Sequence, residues 1–127
     1  MAGEADLAVL LRSMRPELHA EAYGHAVTDA PLVEAFARIA EAEGVTVIAP
    51  RAALQAAGVT VDVPWARISL TVHSDLAAVG LTAAIARVLA GKGISANVVA
   101  GFYHDHVFVP WARRDDAMAV LRGVSDV

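Results

Sequence analysis

Three side chains in the run "GFYHDHVFVP" at 101–110 are of the types that do chemistry: His104, Asp105 and His106. Side chains alternate along a strand, so two histidines two residues apart share a face, an arrangement suited to a divalent metal. His73 closes the alternating run "WARISLTVH" at 65–73 and is a third imidazole that a neighbouring strand could bring alongside, with Asp75 or Asp105 as an oxygen donor. Other readings compete. Aspartate is a common turn residue, and histidines on a sheet face serve equally in a local hydrogen-bonded network or at a ligand or subunit interface. Ser74 is near these histidines, but no "GxSxG" elbow surrounds it, and there is no glycine-rich phosphate loop.

Composition narrows the function classes. The 127 residues make one domain, or two small subdomains sharing a core. A hydrophobic content of 57% fills a core and leaves apolar surface for a partner. A formal charge of −4 argues against nucleic-acid binding, which needs a basic face. With no cysteine, disulfides, thiolate zinc sites and thiol nucleophiles are excluded. The opening "MAGEADLAVLLRSM" puts acids before a short apolar run, unlike a signal peptide. "LAAVGLTAAIARVLA" carries Arg87 and is too short for a membrane span. These features predict a cytoplasmic protein with neither a nucleic-acid nor a membrane partner, and call for no cofactor.

The elements that must position the candidate residues follow from hydrophobic spacing. Leu7, Leu10, Leu11 and Met14 have helical spacing, and Pro16 stops that helix. "AYGHAV" reads as a strand. "PLVEAFARIAEAEG" reads as a helix, with Leu32, Phe36 and Ile39 on one side and Gly44 as its terminator. "VTVIA" is a strand, "PRAALQAAG" a short helix opened by Pro50, and "VTVDVP" a connector or edge strand. In 65–73, Ile68, Leu70 and Val72 face one way and Arg67, Ser69, Thr71 and His73 the other, a solvated or interface side. "LTAAIARVLAGKG" has a helical stripe of Leu81, Ala84, Ile85, Val88 and Leu89. "ISANVVA" and "HVFVP" are strands joined by "GFYHD", and "RRDDAMAVLRGV" closes with a helix burying Ala117, Val120 and Leu121. The β-α-β-β-α order of the second half predicts strand 106–110 slipped between 65–73 and 94–100. That layout gathers His73, Asp75, His104, Asp105, His106 and the start of helix 80–91 at one end of the sheet.

The run "RISLTVHSDLAAVGLTAAIARVLAGKGISANVVAGFYHDHVFVP" resembles the ACT domain, a small ligand-binding regulatory fold. It is similar to small bacterial ACT-like proteins in which "GISANVVA" and "HDHVFVP" occur together, and to one half of the tandem-ACT arginine sensors of eukaryotic growth signalling. The likeness is specific across 65–122 and weaker across 16–64, where "MRPEL" and "EAEGVTVIAP" carry it. It implies an α+β, ferredoxin-like fold of two ACT-like βαβ-type units with helices on a mainly antiparallel sheet. Residues 1–62 would form a degenerate unit with a leading helix, and 63–127 the second ACT domain. By the same likeness, part of 32–42 is extended or only briefly helical, against the periodicity.

The resemblance also implies a site: an amino acid or similar small metabolite bound by Ser74, Asp75, Val79, Gly80, Leu81 and Thr82, with Asn97 and Val98 on the facing strand. Free amides at a helix N-terminus attract a carboxylate, and glycine permits close backbone approach. Gly80 reads equally as a tight-loop glycine, and Asp75 as a helix cap. Two functions follow. The first is a non-enzymatic regulatory or sensor module. The alternative is a metal-dependent hydrolase centred on His73, His104 and His106. Ser69, Thr71, Asn97, Val99, His106 and Phe108 form a mixed face opposite the helices, and with an uncovered strand edge they predict a homodimer.

Overall fold

The computed structural model describes residues 3, 6–32, 34–61, 63–73, 75 and 78–125. Helix α1 spans Leu7–Arg12, capped by Asp6, whose carboxylate accepts from the Val9 N–H at 3.2 Å. Proline at 16 ends it. Arg15 turns the chain with φ 42°, and Thr71 fixes that turn by donating its N–H to the Met14 carbonyl and its hydroxyl to the Arg15 carbonyl, each at 3.0 Å. Thr71 is therefore a clamp between elements rather than only a solvated side chain.

Six strands follow: β1 (Pro16–Val27), β2 (Ala37–Glu41), β3 (Gly44–Pro50), β4 (Trp65–Leu70), β5 (Asn97–Ala100) and β6 (Asp105–Pro110). Helix α2 (Arg51–Ala56) follows β3, α3 (Leu81–Ala90) joins β4 to β5, and α4 (Arg114–Ser125) follows β6 after a 3-10 turn at Trp111–Arg113. The order across the sheet is β2-β3-β1-β4-β6-β5, and all neighbours are antiparallel. β6 lies between β4 and β5, as the order of elements in the second half predicts.

The two halves repeat one plan. β1 and β2 run parallel with β3 inserted between them; β4 and β5 run parallel with β6 inserted. Each inserted strand ends in a proline that opens the next helical segment, with φ/ψ of −52°/134° at Pro50 and −54°/135° at Pro110. Pro50 pairs with Tyr23, Pro110 with Trp65, and Tyr23 with Trp65 across the central β1–β4 ladder. The two central strands thus serve both units at once. The set β2-β3-β1-β4 ends in β4, and the set β1-β4-β6-β5 begins with β1.

The expected helix over 31–44 is absent. Ala37–Glu41 is strand β2, pairing from Ala37↔Ile48 to Glu41↔Gly44. The apolar residues that suggested one helical face go to three places: Leu32 packs with Val47, Ala49 and Leu54, Phe36 goes to the opposite face, and Ile39 is 45% exposed. Gly44 makes the tight hairpin at φ +148°, where an added Cβ would crowd Val27. β1 begins at Pro16, well before the "AYGHAV" run, because "ELHA" has weak strand propensity but a partner in β4; a bulge between Leu18 and Ala22 absorbs the mismatch. The segment after α2 (59–61) is a connector.

The main core lies between the sheet and α1, α3 and α4, centred on Ile68, Leu70, Ile85, Leu89, Val107 and Leu121. A smaller core sits under α2. On the other face Tyr23, Ile48 and Phe108 are buried. The Phe36 ring stands 4.9 Å from His106 and 5.4 Å from Phe108. Phe36 adjoins the β2–β3 hairpin, and β3 is three strand spacings from β6, about 14 Å in a flat sheet. The sheet must curl to bring them together, so the face opposite the helices is concave and closes partly on itself. Phe108 is fully buried inside the chain, and that face is not the open surface the sequence suggested.

Candidate functional site

The 71–80 segment leaves β4 and enters α3 through Gly80, whose φ of 100° is the left-handed conformation glycine tolerates. The close neighbour that glycine permits here is the Leu7 side chain, 3.1 Å from the position an added Cβ would take. The N-cap residue of α3 is Gly80, which has no side chain with which to cap the first turn. Val79 is 83% exposed and Thr82 is exposed. Leu81 is buried, leaving only its backbone available. Asp75 is half-buried, with its carbonyl accepting from the Ala78 N–H at 2.9 Å. Ser74 lies outside the described residues.

Val79, Gly80, Leu81 and Thr82 are consecutive, whereas Asn97 and Val98 lie on opposite faces of β5. Val98 packs on the helix-side core, and Asn97 points to the concave side beside Val99 and Trp65. In register Asn97 faces Phe108, and Phe108 faces Arg67, three residue pairs from the sheet end at which β4 stops.

The histidines are dispersed as well. His73 packs on the rings of Tyr103 and Phe102 at 5.3 and 6.3 Å. His104 precedes β6, with Nδ1 3.3 Å from the Val72 carbonyl, to which it donates. Asp105 is 8% exposed, and burial pushes its carboxyl up despite the nearby His104. His106 points to the concave face. Among the described residues no three histidine, aspartate or glutamate side chains come together as a metal site.

His106 instead ends a polar chain. Its Nδ1 lies 2.8 Å from Ser69 Oγ, which lies 2.8 Å from His19 Nε2. Arg67 Nη2 also faces His106 Nδ1 at 3.5 Å, and Nη1 donates to the Tyr23 hydroxyl at 2.9 Å. An arginine only donates, so Nδ1 of His106 is the acceptor. Ser69 then donates to His106, and His19 donates to Ser69. The Arg67 guanidinium lies over the Phe36 ring at 4.3 Å and near Tyr23 at 5.5 Å, contacts that offset its desolvation. Burial, and then the charge of Arg67, push His106 down to about 4. With Nδ1 accepting from Ser69 and its protonated form disfavoured, His106 forms a polar bridge to β4.

This network was invisible in the sequence, which put Arg67 and Ser69 on a solvated or interface side. The signal that could have found it was the shared parity of Arg67, Ser69, His106 and Phe108 on strands in known order; what was missing was β1, which brings His19 and Tyr23.

The concavities among the described residues include two that bear on ligand binding. One, of about 380 Å³, opens on the concave face and is lined by His25, Ile39, Thr46, Ile48, Trp65, Asn97 and Val99. The other is an apolar groove of about 620 Å³ between α1, α3 and α4, floored by Leu11, Val88, Val120 and Val124, with Arg12 and Lys92 at its rim.

The family model for the ACT domain matches residues 2–66, and a second ACT-domain family model matches residues 60–123. The two matches meet at the start of β4, where the structural repeat begins again. A crystal structure of a Vibrio cholerae protein of unknown function, described as a possible transport protein, is 44% identical over 91% of this chain and 92% of that one, with a TM-score of 0.80. The ligand-free regulatory subunit of aspartate kinase from Thermus thermophilus shares the fold at 10% identity, covering 88% of this chain and 97% of that one with a TM-score of 0.66. A structure of aspartokinase alpha and beta subunits does so at 16% identity, over 88% and 97%, with a TM-score of 0.63. No curated protein matches the chain.

Proposed function

The chain belongs to the ACT-domain family, and from that premise we propose that it is a non-enzymatic regulatory module binding an amino acid or a related small metabolite. The observation that carries this reading is the tandem family match spanning nearly the whole chain, joined to an α3 N-terminus whose N-cap is Gly80, with Val79 and Thr82 beside it. Backbone amides at a helix N-terminus suit the ligand carboxylate, and Asp75 suits an ammonium group.

β5 is an edge strand. In a homodimer its free backbone at Asn97 and Val98 would supply the facing strand for the site of a second copy. Division of the sequence near residues 62 and 63 and a cytoplasmic location are parts of the same proposal; among the described residues no helix is long and apolar enough to cross a membrane. The hydrolase alternative lacks the convergence of His73, His104 and His106 that it requires, and is set aside on that geometry.

Thermal unfolding with each proteinogenic amino acid in turn tests the reading. A ligand at 100 times its Kd stabilises by about 2.7 kcal/mol. One amino acid should raise the midpoint, with the rise reduced in Asp75→Ala. No rise for any of them defeats the amino-acid reading. Light scattering at micromolar concentration tests the dimer, and a clean monomer removes it.

A further inference from the structure

The concave face carries chemistry that the α3 site does not use. Tyr23, Phe108, His25 and Trp65 form a chain of edge-to-face rings with centroid spacings of 5.8, 5.6 and 5.8 Å. That geometry is the one aromatic quadrupoles favour. The chain stops at Trp65, where the cavity of about 380 Å³ opens between the two edge strands, with Ile39 on one side and Val99 on the other. Its volume is in the range of small-molecule sites. Two buried nitrogens on this face, His25 Nδ1 and Arg67 Nε, have no hydrogen-bond partner in the protein, a condition that well-packed faces avoid.

The lining sets the class of ligand. Trp65 lines the cavity with an indole, and the exposed Asn97 carboxamide presents a donor and an acceptor side by side. Thr46 holds the Glu41 carboxylate next to the cavity by donating its hydroxyl, which disfavours an anion. We propose that the concave face is a second binding chamber, taking a small uncharged aromatic or heteroaromatic compound whose ring packs on Trp65 and whose carboxamide-like edge pairs with Asn97. The chamber draws on both units of the chain, and it uses the Asn97 side chain, not the strand backbone.

Benzamide and nicotinamide are suitable probes, with acetamide (no ring) and benzoate (an anion) as controls, read by ¹⁵N–¹H NMR of the intact protein. The Trp65 indole and Asn97 amide signals should shift saturably with benzamide or nicotinamide. Acetamide should leave them in place, and benzoate should bind at least tenfold more weakly. Asn97→Ala, at an exposed position, should weaken binding by about three- to tenfold, the loss of one hydrogen bond. Ile39→Phe, on an exposed edge, should fill the chamber and abolish binding, with circular dichroism confirming the fold. The proposal is overturned if neither ring probe shifts Trp65 up to its solubility limit, if acetamide does so equally, or if both variants bind as the wild type does. Shifts confined to Val79 and Thr82 would also overturn it while leaving the α3 reading intact.

Discussion

The two units use the same strand plan and differ in what joins their first two strands. In the second unit that connection is α3, a ten-residue helix whose Leu81, Ile85 and Leu89 complete the main core. In the first unit the segment 28–36 has no helix, and its apolar residues are split between faces: Leu32 goes to the small core under α2 and Phe36 to the concave side. The missing helix has two consequences. The first unit has the smaller helix-side core, and it acquires a ring that reaches across the curled sheet to cover Arg67, His106 and Phe108. Where the second unit has a helix, the first has a ring that covers part of the concave face.

The largest expected effect comes from breaking what the units share. Phe108→Asp puts a carboxylate among Tyr23, Ile48 and Phe36; Arg67 faces it across the β4–β6 ladder but is held by Tyr23 and Phe36, and the lost ring packing plus the desolvated charge should exceed the stability of a small domain. We expect no cooperative thermal transition and no dispersed NMR spectrum. A folded variant that merely dissociates would instead make this face an intersubunit surface.

Next are substitutions that compare the two helix-side cores. Leu89 and Leu54 are both fully buried, in the large and small core respectively. Leu89→Ala should cost about 3–5 kcal/mol and Leu54→Ala about 2–3 kcal/mol by urea unfolding, because a smaller core collapses more readily around the cavity. Both should unfold in one transition with an unchanged m-value, since β1 and β4 belong to each unit; two separated transitions would show the units to be independent. Phe36→Ala should cost less, about 2 kcal/mol, for a half-buried ring and its cation–π contact. A loss below about 0.5 kcal/mol would mean that Phe36 does not hold the curl.

The second unit was the more legible in the sequence, for physical reasons. Ile68, Leu70, Val107 and Val109 alternate cleanly and the α3 stripe is continuous, so periodicity located both core faces, and the order of elements placed β6. The first unit was obscured because alanine and glutamate in "EAFARIAEAEG" favour helix locally, whereas pairing with β3 decides the outcome. The candidate site was legible in part. Val79, Gly80, Leu81 and Thr82 adjoin by sequence alone, and the opposite parity of Asn97 and Val98 was readable. What could not be read was the curl, which depends on Phe36 reaching β6 across two intervening strands. Without it, His106 seemed a companion of His104 and His73 when its partners are Ser69, Arg67 and, through Ser69, His19.

The smallest effect tests that enclosed face by pH. Burial is the first cause lowering His19, His25 and His106, with Arg67 adding to it for His19 and His106. Each ordinarily titrates near 6.5, and His106 in the folded chain does so at about 4. Above about pH 6.5 neither the folded nor the unfolded chain holds these protons, and stability is independent of them. Between 6.5 and 4 the unfolded chain binds a proton at His106 that the folded chain refuses, so stability falls as pH falls, and the effect levels off below about 4. Asp105 works the other way: burial raises it, the folded chain binds its proton first, and acidification through its folded value restores some stability. Three histidines outweigh one carboxyl above pH 5, so the thermal midpoint should decline from pH 6.5 to 5. His106→Gln keeps a hydrogen-bonding side chain without the titration and should make that decline shallower. An equal decline in the variant would assign the dependence to the first unit's His19 and His25 alone, and a flat profile in the wild type would mean that the concave face is open to water.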